Sequence, residues 1–164
     1  MKSIKSVILA LLVPSLAAAS DWPQWMGPKH ETASAEKVEA WKDSPPIAWR
    51  LPVGPGYSVP VIAAGRVFIH ARVKGKDQEE IFALDAKTGK QIWYDSYDRA
   101  PFVSVLNTGP QATPAVAGNR LFTYGITGVL TAYAADTARR LWQVDCLKPF
   151  KTAVPRFGVC CSPW

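Results

Sequence analysis

Ala83-Leu84-Asp85-Ala86-Lys87-Thr88-Gly89-Lys90-Gln91-Ile92-Trp93 decides how the rest of the chain is read. An apolar strand from Ile81 to Leu84 runs into a turn at Asp85 to Gly89, and a second strand follows through Trp93. The Asp85 carboxylate is placed to accept bonds from backbone N–H groups two or more residues on, and Gly89 takes a positive φ without steric cost. Two strands rich in Ile, Phe, Leu and Trp, joined by such a turn, make a tight hairpin.

The pattern returns. Ala132-Tyr133-Ala134-Ala135-Asp136-Thr137-Ala138-Arg139-Arg140-Leu141-Trp142 aligns with the first stretch without gaps, keeping the Ala, Thr and Trp while Ala134 replaces Asp85 and Ala138 replaces Gly89. Upstream, Ser58-Val59-Pro60-Val61 and Arg66-Val67-Phe68 align with Ala112-Thr113-Pro114-Ala115 and Arg120-Leu121-Phe122, and a third copy begins at Cys161-Ser162-Pro163. Repetition at a period of a few tens of residues marks propellers and solenoids. Fourteen Pro and eleven Gly favour many short strands and turns over long helices. The first unit is expected to have strands near Ser58 to Ile62, Arg66 to Arg72, Glu80 to Leu84 and Gln91 to Tyr97. The second should have them near Ala112 to Val116, Arg120 to Tyr124, Val129 to Tyr133 and Arg140 to Asp145. Ile47 to Val53 reads as the outer strand of an incomplete earlier unit, carrying Trp49. Trp49, Trp93 and Trp142 occupy the same place in successive units and read as packing residues.

The spacing A-x-D-x-x-T-G-x-x-x-W, filled here by Ala83, Asp85, Thr88, Gly89 and Trp93, resembles the tryptophan-docking motif of the PQQ-like (quinoprotein-type) β-propeller repeat. In that family the Trp packs on the docking turn of the next blade. Trp142 is the counterpart in the second, degenerate copy. The opening Asp21-Trp22-Pro23-Gln24-Trp25-Met26-Gly27-Pro28 is similar to the D-W-P-Q-W-R-G-P start of secreted PQQ-like propeller proteins of Planctomycetes and related bacteria, with Met26 in place of the usual Arg. The resemblance implies an all-β fold, a partial β-propeller with roughly two and a half four-stranded antiparallel blades of an expected seven or eight. The chain reads as an N-terminal fragment of such a protein. The organisation expected is a signal peptide over 1–19, an N-terminal arm over 20–46 and the partial, C-terminally truncated propeller over 47–164.

Met1 to Ala19 has a charged start at Lys2 and Lys5, an apolar run from Val7 to Leu16 and a small-residue cleavage site at Ala17-Ala18-Ala19. The run is too short for a transmembrane helix, which needs about twenty residues. Export to the periplasm or the cell exterior is the expectation. Cleavage takes the formal charge from +6 to +4 by removing two lysines, and what remains forms no basic stripe, so nucleic acid is not an expected partner.

Cys146, Cys160 and Cys161 are candidates for a disulfide in an exported protein. A bridge from Cys146 to one of the adjacent pair, a strained Cys160–Cys161 bridge resembling the one that stacks on the cofactor of some quinoprotein alcohol dehydrogenases, and three thiols are all open readings. No C-x-x-C-H haem site and no zinc spacing is present. His30 falls in the polar arm, and His70 alternates with Ile69 in a strand, where it reads as facing solvent or accepting a backbone partner. Neither has a nucleophile at an informative spacing. Asp77, Glu79 and Glu80 read as a solvated hairpin tip, and Arg66 and Arg120 as repeated structural or surface residues.

Two functions fit the resemblance. One is an exported, non-catalytic binding or scaffold module of the BamB-like kind, contacting a protein or small ligand on the propeller face, with no cofactor. The other is a fragment of an alcohol or sugar dehydrogenase that uses pyrroloquinoline quinone (PQQ) and calcium. No catalytic, cofactor or metal residue is assigned in this chain under either reading.

Overall fold

The structure, a computed structural model, describes residues 20–104 and 108–163. The expected signal peptide lies outside the described residues. Among the described residues eight strands form two four-stranded sheets. The first contains β1 (Val61–Ala63), β2 (Arg66–Arg72), β3 (Gln78–Asp85) and β4 (Gln91–Asp98); the second contains β5 (Ala115–Ala117), β6 (Arg120–Tyr124), β7 (Val129–Ala134) and β8 (Arg140–Asp145). In each sheet the spatial order is the chain order, and every pairing is antiparallel. The fold is a pair of propeller blades.

The repeat in the sequence is a repeat in register. Trp93 pairs across the ladder with Ala83 and Trp142 with Ala132, and each sheet slips register at the next residue of the same strand. A small residue opposite a large aromatic lets the indole lie over the sheet without a clash. The two turns close alike. Asp85 N–H donates to Lys90 O and Gly89 N–H to Asp85 O; Ala134 N–H donates to Arg139 O and Ala138 N–H to Ala134 O. Gly89 has φ 68° and Ala138 has φ 62°. The degenerate copy therefore keeps the left-handed turn while losing the residue that adopts it freely.

Three expectations need correction. The inner strands are shorter than read: β1 begins at Val61 and β5 at Ala115, immediately after Pro60 and Pro114. Proline has no N–H to give to a ladder, and both strands start where donors resume. Residues 47–53 form no strand, and neither do 161–163. A strand needs a partner ladder, and among the described residues neither segment has one. A single 3-10 turn, Lys148–Phe150, follows β8.

The core lies between the two sheets. Val61, Ala63, Phe68, Ile81, Ala83, Trp93 and Tyr97 of the first blade meet Leu121, Tyr133 and Ala135 of the second. The segment around Trp22 straps both inner strands. Trp22 forms an antiparallel bridge with Ile62, and Val116 N–H donates to Pro23 O (2.8 Å). Asp21 accepts from Ala64 N–H at 3.1 Å and 3.2 Å.

Candidate functional site: the junction between the blades

Two of the tryptophans read as packing residues, Trp49 and Trp93, each reach the turn of the following unit. The Trp49 indole donates to Ala86 O (3.0 Å) in the first turn. A Cβ on Gly89 would lie 2.6 Å from the Trp49 ring, so the missing side chain and the positive φ serve the same contact. One unit on, the Trp93 indole donates to Ala135 O (2.9 Å), the equivalent carbonyl of the second turn. The Trp93 ring stacks on Tyr133 at 6.1 Å and tilts against Phe68 at 5.9 Å. Asp85 stays within its own turn. One carboxylate oxygen accepts from Thr88 Oγ1 (2.7 Å), Thr88 N–H (2.8 Å) and Lys87 N–H (3.1 Å). Those bonds, the Thr88 hydroxyl foremost, hold its carboxyl below the usual range. Thr88 is thus brought to Asp85, Ala83 to Trp93 and Gly89 to Trp49, while Trp142 contacts Phe122 of its own sheet and is 46% exposed.

Sequence reasoning missed a second set of junction residues. Glu79, read as part of a solvated hairpin tip, is fully buried, and Glu80 is nearly so. His70, read as facing solvent or accepting a backbone partner, is buried beside the Glu79 side chain. Asp77 does lie in the exposed turn, but β3 begins at Gln78 and takes Glu79 and Glu80 into the sheet. One Glu79 oxygen accepts from the Tyr97 hydroxyl and lies 3.3 Å from His70 Nε2; the other accepts from Ile126 N–H (2.9 Å) of the second blade. His70 Nε2 is also 3.2 Å from the Tyr97 hydroxyl. Arg99, with its side chain fully buried, approaches Glu79 through Nε at 3.9 Å and donates to Ala100 O and Thr108 O, each at 2.8 Å. Burial pushes the Glu79 carboxyl up, but the His70, Tyr97 and Ile126 contacts outweigh it and leave the group below its ordinary value. Burial, then the facing Glu79 charge, drives the Tyr97 phenol well up. Gly125 makes the close approach possible, since a Cβ there would sit 2.1 Å from a Glu79 oxygen.

A third tie crosses the rim. Arg140 of β8 forks onto Asp95 of β4 at 2.6 Å and 3.0 Å, with its guanidinium 5.9 Å from the Tyr97 ring centre. The pair is partly exposed, a setting in which such pairs contribute about 0–1 kcal/mol.

The three cysteines are free thiols. Cys160 Sγ contacts Gln111 Oε1 (3.2 Å) and Gly158 O (3.4 Å). Cys160 and Cys161 line a recess of about 360 Å³ with Trp25, His30 and Gln111. On its other side Cys161 borders an apolar recess of about 450 Å³ with Phe122, Tyr124, Leu130 and Trp142. Among the described residues no group of three or more His, Cys, Asp or Glu side chains is placed to hold a metal ion.

Residues 32–112 match the family model described as outer membrane protein assembly factor BamB. A quinohemoprotein alcohol dehydrogenase of Comamonas testosteroni is 32% identical over 95 residues, which is 53% of this chain and 13% of that protein. Among solved structures, BamB from Moraxella catarrhalis is 24% identical with a TM-score of 0.39, covering 51% of this chain and 23% of that one. A europium-containing methanol dehydrogenase is 17% identical with a TM-score of 0.45, covering 61% of this chain and 18% of that one. The chain thus spans a quarter or less of the length of these relatives. The family model matching across the first Asp85–Gly89 hairpin, and two consecutive blades built on one register, support a PQQ-like β-propeller repeat protein.

Proposed function

We propose that the protein acts as an exported, non-catalytic binding or scaffold module that meets a protein or a small ligand, not nucleic acid, on its propeller face. The observation that carries this reading is where the buried polar groups are spent. Glu79, His70, Tyr97 and Arg99 are turned on one another and on the backbone of the second blade, so they hold blades together rather than present a reactive group. The recess beside Trp25, His30 and Gln111 offers the combination of an aromatic wall and convergent polar groups that small ligands use. Export rests on the N-terminal residues. No helix among the described residues is long and apolar enough to cross a membrane.

The second reading, part of a quinone-dependent alcohol dehydrogenase, is favoured by the identity shared with the Comamonas testosteroni protein. PQQ chemistry of that kind also calls for a calcium ion, which takes six to eight oxygen ligands. The residues present do not fit that demand: both oxygens of the buried Glu79 are engaged, and Asp85 is closed into its own turn. No step is assigned through the quinone. The test is calorimetry of the purified full chain with PQQ and Ca²⁺, paired with an alcohol-dependent dye-reduction assay. The binding reading predicts neither saturable heat nor dye reduction. Stoichiometric quinone binding at micromolar affinity would put the dehydrogenase reading first.

A further inference from the structure

The residues ahead of each inner strand have no ladder to join, and they bond forward instead. Proline lacks an N–H and holds the residue before it extended, so that residue must place its own N–H elsewhere. Val59, Thr113 and Ser162 hold this place in successive units, before Pro60, Pro114 and Pro163. Val59 N–H donates to Thr113 Oγ1 (3.3 Å), and Thr113 N–H donates to Ser162 Oγ (2.9 Å). The same group in each unit thus donates to the hydroxyl of its counterpart one unit on. Neighbouring bonds run the same way. Tyr57 and Ser58 N–H donate to Pro110 O at 2.8 Å and 3.1 Å, and Gln111 Nε2 donates to Phe157 O at 2.6 Å. One contact returns, from the Cys160 thiol to Gln111 Oε1 (3.2 Å). The segments lie close together: a Cβ on Gly109 would stand 1.9 Å from Pro55 O. Ser162, with Cys161 and Pro163, lines both the recess beside Trp25 and His30 and the apolar recess beside Phe122 and Trp142.

We propose that these bonds form a one-way belt along the inner strands, in which Ser162 is the positioning residue for the wall that the two recesses share. A hydroxyl accepts independently of the backbone, so Thr113 takes a bond from the first unit on its side chain while its N–H gives one to the third. Thr113 is 1% exposed, and its N–H has no bulk water to turn to if Ser162 lets go. Residues 161–163 form no strand, so the Ser162 hydroxyl ties them to the second blade in the way a ladder ties β1 and β5 to their sheets. Cys161 and Pro163 are carried into the recess walls on either side of that tie. The belt stands whether or not either recess is occupied, and only the positioning role at the recess wall rests on the binding reading.

The test is amide exchange of the native full chain, followed residue by residue by NMR, in variants of the two hydroxyl residues. In Ser162→Ala the Thr113 amide should exchange at least about tenfold faster while the Val59 amide keeps its rate. Ser162→Thr keeps a hydroxyl and should keep the protection. In Thr113→Val the pattern reverses: the Val59 amide speeds up, and the amide at position 113 stays protected by Ser162. The wall is read separately, by iodoacetamide alkylation of Cys161 with Cys146 as internal control. Cys161 should react faster in Ser162→Ala and at the unaltered rate in Ser162→Thr. No recess ligand enters either measurement, so failure here is distinct from failure of the binding reading. An unchanged Thr113 amide in Ser162→Ala, or both amides speeding up together in either variant, would overturn the belt. A Cys161 rate untouched by Ser162→Ala would remove Ser162 from the recess wall.

Discussion

Ala138 is the residue at which the second turn departs from the first while keeping its shape. Its φ of 62° against 68° at Gly89 puts a Cβ in the left-handed region, a conformation that costs an L-residue about 1–2 kcal/mol. Ala138→Gly relieves that strain but adds about 0.4–1 kcal/mol of chain entropy to the unfolded state. A net stabilisation of up to about 1 kcal/mol is expected, read as a higher denaturant midpoint with unchanged slope. A lower midpoint would show that the Ala138 methyl packs well enough to outweigh the strain. The turn itself was legible in the sequence, since Asp85, Thr88 and Gly89 each have a local reason to be where they are. Glu79 was not, because its partners come from residues 9, 18 and 47 positions away in the chain and from a different sheet. A single sequence carries no signal for such a meeting, and acidic neighbours in a polar run read by default as surface.

At the scale of the element, β2, β6 and β8 coincide with the stretches read from the repeat, because each is flanked by a turn with a clear chemical signature. The segment carrying Trp49 misled for a physical reason. Its indole docks on Ala86 O through the side chain, so the residue holds its place without a ladder. The turn between β6 and β7 is where one blade is closest to the charge of the other. Gly125→Ala sets a methyl 2.1 Å from a Glu79 oxygen, and the turn must move or the Ile126 N–H bond must lengthen. Overpacking of this kind costs about 1–3 kcal/mol. The loss is to be measured by urea unfolding, beside a Gly75→Ala control, where a new Cβ meets nothing within 4 Å but the φ of 75° carries its own strain. Equal losses at both sites would mean that the close approach to Glu79 adds nothing.

For the molecule as a whole, the two blades share one core and one buried carboxylate, and stability depends on pH through that group. The folded-state pKa of Glu79 lies below its ordinary value of 4.5. The stabilisation it provides is therefore fully present above that value, and it is lost as pH falls through the lower folded-state pKa. Unfolding free energy should decline on acidification below about pH 4.5, with a shallower decline in Glu79→Gln, where the carboxylate is absent at every pH. Identical acid profiles for the two proteins would remove Glu79 from the account.

The central claim is that one blade is locked to the next through the Trp93 indole on Ala135 O, while the equivalent Trp142 makes no such bond among the described residues. Indole N–H exchange followed by NMR reads both groups in one sample. Trp93 is 8% exposed and hydrogen-bonded, and Trp142 is 46% exposed. The account predicts that the Trp93 indole proton exchanges only through opening of the blade junction, at least about a hundredfold slower than that of Trp142. Exchange of the Trp93 indole as fast as that of Trp142 in the folded protein would contradict it.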